Sequence, residues 1–123
     1  IGQTLNLPII LEASLKETDH GEWSFLNDEQ INARWPDLYR LWKTKPSQVI
    51  FPGGESLAED TAKRVIDWWN KLNKSTNTAI VSHENIMQII LTHFLGESLD
   101  QIWEHRVPNG GVICLNNANI EVC

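Results

Sequence analysis

A histidine, a glutamate and an asparagine occur in succession where a strand should meet a helix. Residues 78–82 form a mostly apolar run, typical of a strand buried on both faces of a parallel sheet, and His83, Glu84 and Asn85 follow it directly. Ligands of open α/β sheets collect beyond the carboxyl ends of the strands, and a helix N-terminus there attracts anions. An imidazole at this place can hold a phosphoryl group or transfer a proton. The alternative is that His83 only caps the turn, and its position in the sequence does not decide between the two.

The first long loop carries acidic residues that could do proton chemistry. Residues 14–25 are polar and follow no sustained period, so we expect a loop that contains Glu17 and Glu22, with Asp19 and His20 between them. A carboxyl group held over the sheet end could serve as a general acid. The alternative is that these carboxylates are simply solvated.

A second loop, residues 51–56, has the sequence Phe-Pro-Gly-Gly-Glu-Ser. Its backbone could cradle an anion, although a Pro-Gly-Gly turn before a capped helix also has a purely structural reason. No metal site is expected, because the histidines lack the spacing of a recognised one, and no cofactor is expected either. The histidines are His20, His83, His93 (which we expect in the core) and His105.

Helices and strands alternate along the chain, which indicates an α/β domain. Capping pairs predict the start of helices at Asn27 (with Gln30), Ser56 (with Glu59) and Ser98 (with Gln101), and a proline predicts another at Pro36. A further helix is predicted after His83, and Gly96 ends it. Residues 1–7 have the pattern of a helix tail. Strands are predicted at 9–11, 78–82, 112–115 and 120–123, the last two as a hairpin.

The composition predicts one globular domain. The chain has 123 residues, of which 41% are hydrophobic, and this is enough for a real core. The net charge of −6 and the scattered bases exclude a nucleic-acid partner, and no apolar run is long enough to span a membrane. The two cysteines suit a reducing, cytoplasmic location. The six tryptophans are expected mostly in the core, but adjacent Trp68 and Trp69 cannot both face inward.

Four segments taken together resemble the histidine phosphatase superfamily, the phosphoglycerate-mutase-like phosphatases. They are LKETDHGEW (15–23), FPGGESLAEDTAKRV (51–65), AIVSHENIMQIIL (79–91) and the turn at Asn109 and Gly110. Their order and spacing agree with the family over nearly the whole chain. The resemblance implies a three-layer α/β sandwich, in which a mainly parallel sheet is flanked by helices, formed by residues 1–123 as a single domain.

The resemblance also implies a reaction in which a histidine attacks a phosphoryl group and is transiently phosphorylated. By motif match, Glu17 takes the place of the general acid and His83 that of a second histidine that holds phosphoryl oxygens. Glu84, Asn85 and Asn109 fall at substrate-binding positions. The ligand implied is phosphate or a phosphorylated small molecule.

The sequence departs from the family in three places. None of its histidines follows an arginine, so the Arg-His-Gly motif of the nucleophile is not among these residues. Glu84 stands where relatives usually have glycine, and Gln88 where many have arginine. The chain begins at Ile1 rather than at Met, and we expect a domain truncated at its N-terminus, without the first strand.

Two functions follow as alternatives. The first is a domain derived from a phosphate monoester hydrolase or mutase, inactive as this chain because the nucleophile is missing. The second is a non-catalytic binding or assembly protein built on the same fold. In the resembled fold the first strand lies beside residues 78–82, so its absence exposes an apolar strand edge. We therefore expect a homodimer.

Overall fold

The computed structural model describes residues 2–116 and 119–122. The α-helices are α1 (Asp28–Arg34), α2 (Pro36–Thr44), α3 (Lys63–Lys71) and α4 (Glu84–Leu95), and the strands are β1 (Ile113–Asn116) and β2 (Asn119–Val122). A π-helical segment, Leu57–Ala62, leads into α3. Short 3-10 helices lie at Ala13–Leu15, Gly21–Trp23, Pro46–Gln48 and Leu99–Glu104.

The capping signals that predicted the helix ends are confirmed. The side chain of Asn27 accepts a hydrogen bond from the Gln30 backbone, and the Gln30 side chain accepts one from the Asn27 backbone, so α1 begins with a capping box. Pro36 is the first residue of α2, where its missing N–H leaves nothing unpaired. Gly96 ends α4 with φ of 71°, a conformation that favours glycine.

The helix predicted after Ser56 begins differently from the expectation. Ser56 Oγ accepts a hydrogen bond from the Glu59 backbone at 3.2 Å, as predicted, but the Ser56 backbone N–H donates to Asp60 rather than to Glu59. The Thr61 N–H donates to the Ser56 carbonyl, five residues back, which makes the first turn π-helical. Regular α-helix therefore starts only at Lys63.

The described residues contain one sheet, and it is antiparallel. β1 and β2 pair with Ile113 opposite Val122 and Asn116 opposite Asn119, which confirms the predicted hairpin. The residues that connect the two strands, and Cys123, lie outside the described residues. Residues 9–11 and 78–82 are not part of any sheet in the described chain, so the mainly parallel sheet is not observed. A strand needs a hydrogen-bonded neighbour, and sequence pattern alone does not supply one.

The N-terminal segment departs most from the prediction. Residues 2–6 form a turn, in which Asn6 has φ of 52°, rather than the tail of a helix. The following segment leaves Ile9, Ile10 and Leu11 exposed by 61%, 84% and 94%.

The core is built around Phe51, which is 1% exposed. Its ring meets Trp23 and Trp42 edge-to-face, with centroids 5.2 and 5.3 Å apart. Trp69 is buried while Trp68 is only partly so, as their adjacency predicted. The buried apolar residues come from nearly every element: Trp23, Ile31, Trp42, Val49, Phe51, Leu57, Ala62, Val65, Trp69, Ile86, Ile89, Ile90, Leu91 and Ile102. Within the described ranges, none of the helices has the length and apolar character that a membrane span requires.

Candidate functional site

Two loops of the structure lie against each other. We call residues 15–23 the Glu17 loop and residues 51–56 the Pro-Gly-Gly loop. The Glu22 N–H donates to the Pro52 carbonyl at 2.8 Å, and the Glu55 N–H donates to the Asp19 carbonyl at 2.8 Å. The Asp19 N–H in turn donates to the Glu55 carboxylate at 3.0 Å. These bonds hold the two loops as one unit.

The contact between the loops is so close that it requires glycine on both sides. A Cβ at Gly21 would lie 2.1 Å from the Pro52 carbonyl oxygen, and one at Gly54 would lie 2.3 Å from the Asp19 carbonyl oxygen. Gly21 also has φ of 51°, which side chains rarely adopt. The two glycines therefore have a structural role in packing loop on loop.

Arg64 fixes the Glu17 loop from the first turn of α3. One terminal nitrogen donates to the carbonyls of Ser14 and Lys16 at 2.6 and 2.9 Å. The other donates to the Glu17 carbonyl at 3.2 Å and to the Glu55 carboxylate at 3.0 Å. A guanidinium presents its donors in a rigid fork, so these bonds fix the position of the backbone that carries Glu17.

Glu55 is the carboxylate that balances Arg64. It also accepts hydrogen bonds from the Asp19 backbone and from Thr61 Oγ1, and Lys16 lies 3.4 Å away. Burial tends to raise the pKa of Glu55, but the bonds from Arg64, Asp19 and Thr61 outweigh it and lower the pKa to about 2. Glu55 is therefore a structural anion and not a proton donor at neutral pH.

His20 contacts α4 through Asn85. The Asn85 amide nitrogen lies 3.0 Å from His20 Nε2, and because an amide NH₂ only donates, Nε2 accepts and the ring proton is on Nδ1. The ring packs edge-on against Phe51 at 4.7 Å. Burial lowers the pKa of His20 below 6.5, although the nearby carboxylates of Glu17, Asp19 and Glu55 act to raise it.

Glu17 and His83 flank a hydrogen bond between their segments. Ser82 Oγ, one residue before His83, donates to the carbonyl of Leu15, two residues before Glu17, at 2.7 Å. Glu17 is half-buried, and its Oε1 accepts from the Thr18 N–H. His83 is exposed at the N-cap of α4, and its side chain makes no capping hydrogen bond.

The structure places the other predicted binding residues in two groups. Asn85 is held by His20, as described above. Glu84 and Asn109 line one surface cavity of about 350 Å³ together with Arg106, Val107 and Pro108. Arg106 Nε lies 3.5 Å from Glu84 Oε1.

The remaining histidines lie in separate contacts. His93 is not in the core as expected but half-buried, and its Nε2 lies 3.2 Å from Asn70 Oδ1. His105 is bonded to Glu97. Across residues 2–116 and 119–122, no three potential ligand side chains are grouped so that they could hold a metal ion.

The sequence analysis assigned no individual role to three residues that shape this site: His20, Glu55 and Arg64. His20 lies three residues after Glu17, inside the motif itself, and its position was the available signal. Arg64 had a weaker signal, because its contacts with the carbonyls of residues 14–17 span 47 to 50 residues.

Comparison with known proteins identifies the family of this chain. The family model of the histidine phosphatase superfamily (branch 1) matches residues 1–119. Phosphoserine phosphatase 1 of Hydrogenobacter thermophilus is 32% identical over 111 residues, which cover 89% of this chain and 53% of that protein. A 2,3-bisphosphoglycerate-dependent phosphoglycerate mutase of Methylobacterium radiotolerans is 31% identical over 109 residues, which cover 84% of this chain and 48% of the mutase.

Solved structures match in fold. Bacillus stearothermophilus YhfR superposes with a TM-score of 0.78 at 17% identity, over 98% of this chain and 62% of that one. The alpha-ribazole phosphatase from Shigella flexneri superposes with a TM-score of 0.75 at 20% identity, over 99% of this chain and 62% of that one. The chain belongs to the histidine phosphatase superfamily, and it spans about half the length of the curated relatives named above.

Proposed function

We propose that this chain carries the phosphate-binding and proton-donating part of a phosphate monoester site. His83 holds phosphoryl oxygens, and Glu17 gives a proton to the leaving oxygen. The observation that carries the proposal is the hydrogen bond from Ser82 to Leu15, since it joins the segment that ends at His83 to the loop that presents Glu17.

The surroundings of His83 support an anionic ligand. His83 is exposed and directly precedes α4, a helix of 12 residues whose first N–H groups and dipole favour negative charge. On the other side, the loop carrying Glu17 is fixed by Arg64 through backbone carbonyls, so the carboxyl group is held without being neutralised by a cation at its own oxygens. A group that must donate a proton needs this freedom.

The substrate class follows from the relatives. One is by name a phosphoserine phosphatase and the other a phosphoglycerate mutase, so we infer a small phosphate monoester as the ligand of this chain. Glu84, Asn85 and Asn109 would contact the part of the ligand beyond the phosphate.

We further propose that the 123 residues bind such an ester without hydrolysing it. Phosphoryl transfer depends on the nucleophile and on the charges that stabilise the transition state together. None of the histidines follows an arginine, and the Nε2 lone pair of His20 is engaged by Asn85. On this proposal the chain has the proton donor Glu17 and the phosphate-binding His83, and it has no histidine in the Arg-His-Gly motif that would act as nucleophile.

Two measurements test this function. Titration with inorganic phosphate, followed by ¹⁵N chemical shifts, should move the N-terminal amides of α4, and His83→Ala should abolish the effect while His93→Ala retains it. Hydrolysis of para-nitrophenyl phosphate should be no faster than with His83→Ala. Strong turnover that disappears in His83→Ala would mean that the chain uses a different nucleophile and would refute the proposed inactivity.

A separate observation favours the alternative, an assembly role. A groove of about 610 Å³ runs between residues 78–80 and 112–116, with Trp69, Ile90 and Leu91 at its floor. On one side of the groove residues 113–116 form β1, whereas on the other side residues 78–80 lack strand partners within the described chain. Unpaired backbone along an apolar groove is unfavourable and acts as a template for association.

We propose that a second copy covers this groove in a homodimer, and that residues 78–82 then become a strand of the three-layer, mainly parallel sheet. The exposed apolar residues 9–11 would be buried in the same step. A cytoplasmic location is proposed alongside, because it suits a chain with two cysteines.

Light scattering at micromolar concentration tests the dimer. We expect twice the 14.1 kDa mass of the chain, and a clean monomer would contradict the proposal. Ile10→Lys should shift the equilibrium towards monomer because it places a charge in the buried contact. Phe25→Lys is the control, since Phe25 is also an exposed apolar residue but lies between the Glu17 loop and α1.

A further inference from the structure

The cavity beside α4 contains one carboxylate and one guanidinium. Glu84 and Arg106 line its 350 Å³ together with Val107, Pro108 and Asn109. Glu84 is the first residue of α4 and directly follows His83 in the chain, so the cavity includes the sequence neighbour of the proposed phosphate-binding residue. A volume of this size is at the lower end of those that hold small molecules.

A contribution to the stability of the fold does not explain the pair formed by Glu84 and Arg106. Arg106 Nε and Glu84 Oε1 are 3.5 Å apart, and their side chains are 72% and 39% exposed. An exposed pair at that distance contributes little to folding. In the part of the chain that the structure describes, neither the terminal nitrogens of Arg106 nor Glu84 Oε2 makes a hydrogen bond. Both groups are therefore available to a ligand.

The position of Glu84 is also unfavourable for a ligand that carries only negative charge. A carboxylate next to a bound phosphate repels it, and a second acidic group on the ligand would add to that repulsion. An ammonium group on the ligand reverses the sign of this interaction. Arg106, in the same cavity, can bind a carboxylate through two parallel N–H bonds.

We propose that this cavity binds the zwitterionic end of a phosphorylated α-amino acid. The Glu84 carboxylate accepts hydrogen bonds from the ammonium group, the Arg106 guanidinium donates to the α-carboxylate, and the phosphate lies at His83. The inference rests on the proposed function for the phosphate position. It names the substrate class and assigns Arg106 a role in specificity.

Calorimetric titration of the full 123-residue chain tests the proposal with four probes. They are inorganic phosphate, O-phospho-L-serine, O-phosphoethanolamine, which lacks the carboxylate, and 3-phosphoglycerate, which lacks the ammonium group. We expect O-phospho-L-serine to bind roughly three- to tenfold more tightly than either ester that lacks one charge, because one hydrogen bond at a solvent-exposed site contributes about that much.

The variants separate the two charges. Glu84→Gln should weaken both ammonium-bearing esters by roughly three- to tenfold and leave 3-phosphoglycerate unchanged or tighter, while Arg106→Gln should weaken only the two carboxylate-bearing esters. Glu59→Gln and Arg40→Gln are matched controls, since both residues are exposed and neither lines the cavity. Near-ultraviolet circular dichroism should show that all four variants fold.

The outcomes distinguish this inference from the proposed function. If inorganic phosphate binds and the three esters have equal affinity, the zwitterion site is wrong while the phosphate site stands. If no probe binds, including inorganic phosphate, the proposed function fails and this site fails with it.

Discussion

The side-chain amide of Asn85 donates a hydrogen bond to Nε2 of His20, a residue 65 positions earlier in the chain, with 3.0 Å between the two nitrogens. The bond joins the first turn of α4 to the Glu17 loop. It also fixes the tautomer of His20, because Nε2 can accept only while it carries no proton. Protonation of His20 would break this bond between the two parts of the site.

The pH dependence of stability should show this coupling. Burial lowers the pKa of His20 below 6.5, so the unfolded chain binds the proton more readily than the folded one. Stability should therefore be fully present above pH 6.5 and fall as the pH decreases through the lowered pKa. Urea denaturation at pH 7.5 and 5.5 measures the difference. His20→Gln should reduce the difference between the free energies of unfolding at the two pH values, and an unchanged difference would contradict this assignment.

A second loss of stability is expected at lower pH, from Glu55. Its pKa is lowered from 4.5 to about 2 in the fold, so the unfolded chain binds this proton first. The contribution of the ionised carboxylate is present above pH 4.5 and is lost as the pH falls towards 2.

Glu55→Gln removes the titrating group. We expect it to destabilise the protein at pH 7 by about 1–3 kcal/mol, because it weakens the bonds from Arg64 and Thr61, and to flatten the acid limb of the stability curve. Asp37→Asn is the control, since Asp37 is an exposed carboxylate paired with Arg40. A variant whose acid limb matches the unsubstituted protein would show that other carboxylates dominate there.

Alanine substitutions at Gly21 and Gly53 distinguish the cost of backbone strain from the cost of a steric clash between the loops, because both glycines have a positive φ. Gly21→Ala should destabilise the protein by about 3–5 kcal/mol, because it combines an unfavourable φ with a Cβ 2.1 Å from the Pro52 oxygen. Gly53→Ala should lose only about 1–2 kcal/mol, since φ is 69° but the nearest atom, Glu22 Cγ, is 3.9 Å away. Thermal melts of the two variants give the comparison, and equal shifts would argue against close loop packing.

Gln88 should be a position where an apolar side chain is better tolerated. It is 0% exposed, and among the described residues neither its Nε2 nor its Oε1 has a hydrogen-bond partner. Gln88→Met keeps the length of the side chain and removes the unpaired amide, so we expect a gain of about 1–2 kcal/mol in the free energy of unfolding. Thr92→Val, which removes a hydroxyl that is bonded to the Gln88 carbonyl, should give no such gain. A loss in Gln88→Met would mean that the amide is paired in solution.

The sequence predicted those features that depend on neighbours within a few residues. The cap of α1 at Asn27, the proline that starts α2 and the glycine that ends α4 were all predicted, because each acts over one helical turn. The π-helical turn after Ser56 was not, since nothing local distinguishes Asp60 from Glu59 as the partner of the Ser56 N–H.

Long-range partners were beyond the same reasoning. Glu17 and His83 were selected from motifs, but His20 and Arg64 act through residues 47 to 65 positions away, and sequence spacing carries no information about such contacts. The parallel sheet was expected from the apolar run at 78–82. An apolar run indicates that a segment can be a strand, while the neighbour that makes it one must come from elsewhere in space.

The loop that presents Glu17 is held by its main chain. Arg64 binds the carbonyl oxygens of Ser14, Lys16 and Glu17, and every amino acid supplies such an oxygen. Mutations that change the side chains at 14 and 16 would leave these bonds in place, so Glu17 can keep its position while the residues around it diverge. A lineage built on this arrangement can therefore change the side chains of the loop by drift, as long as the single arginine on α3 is retained.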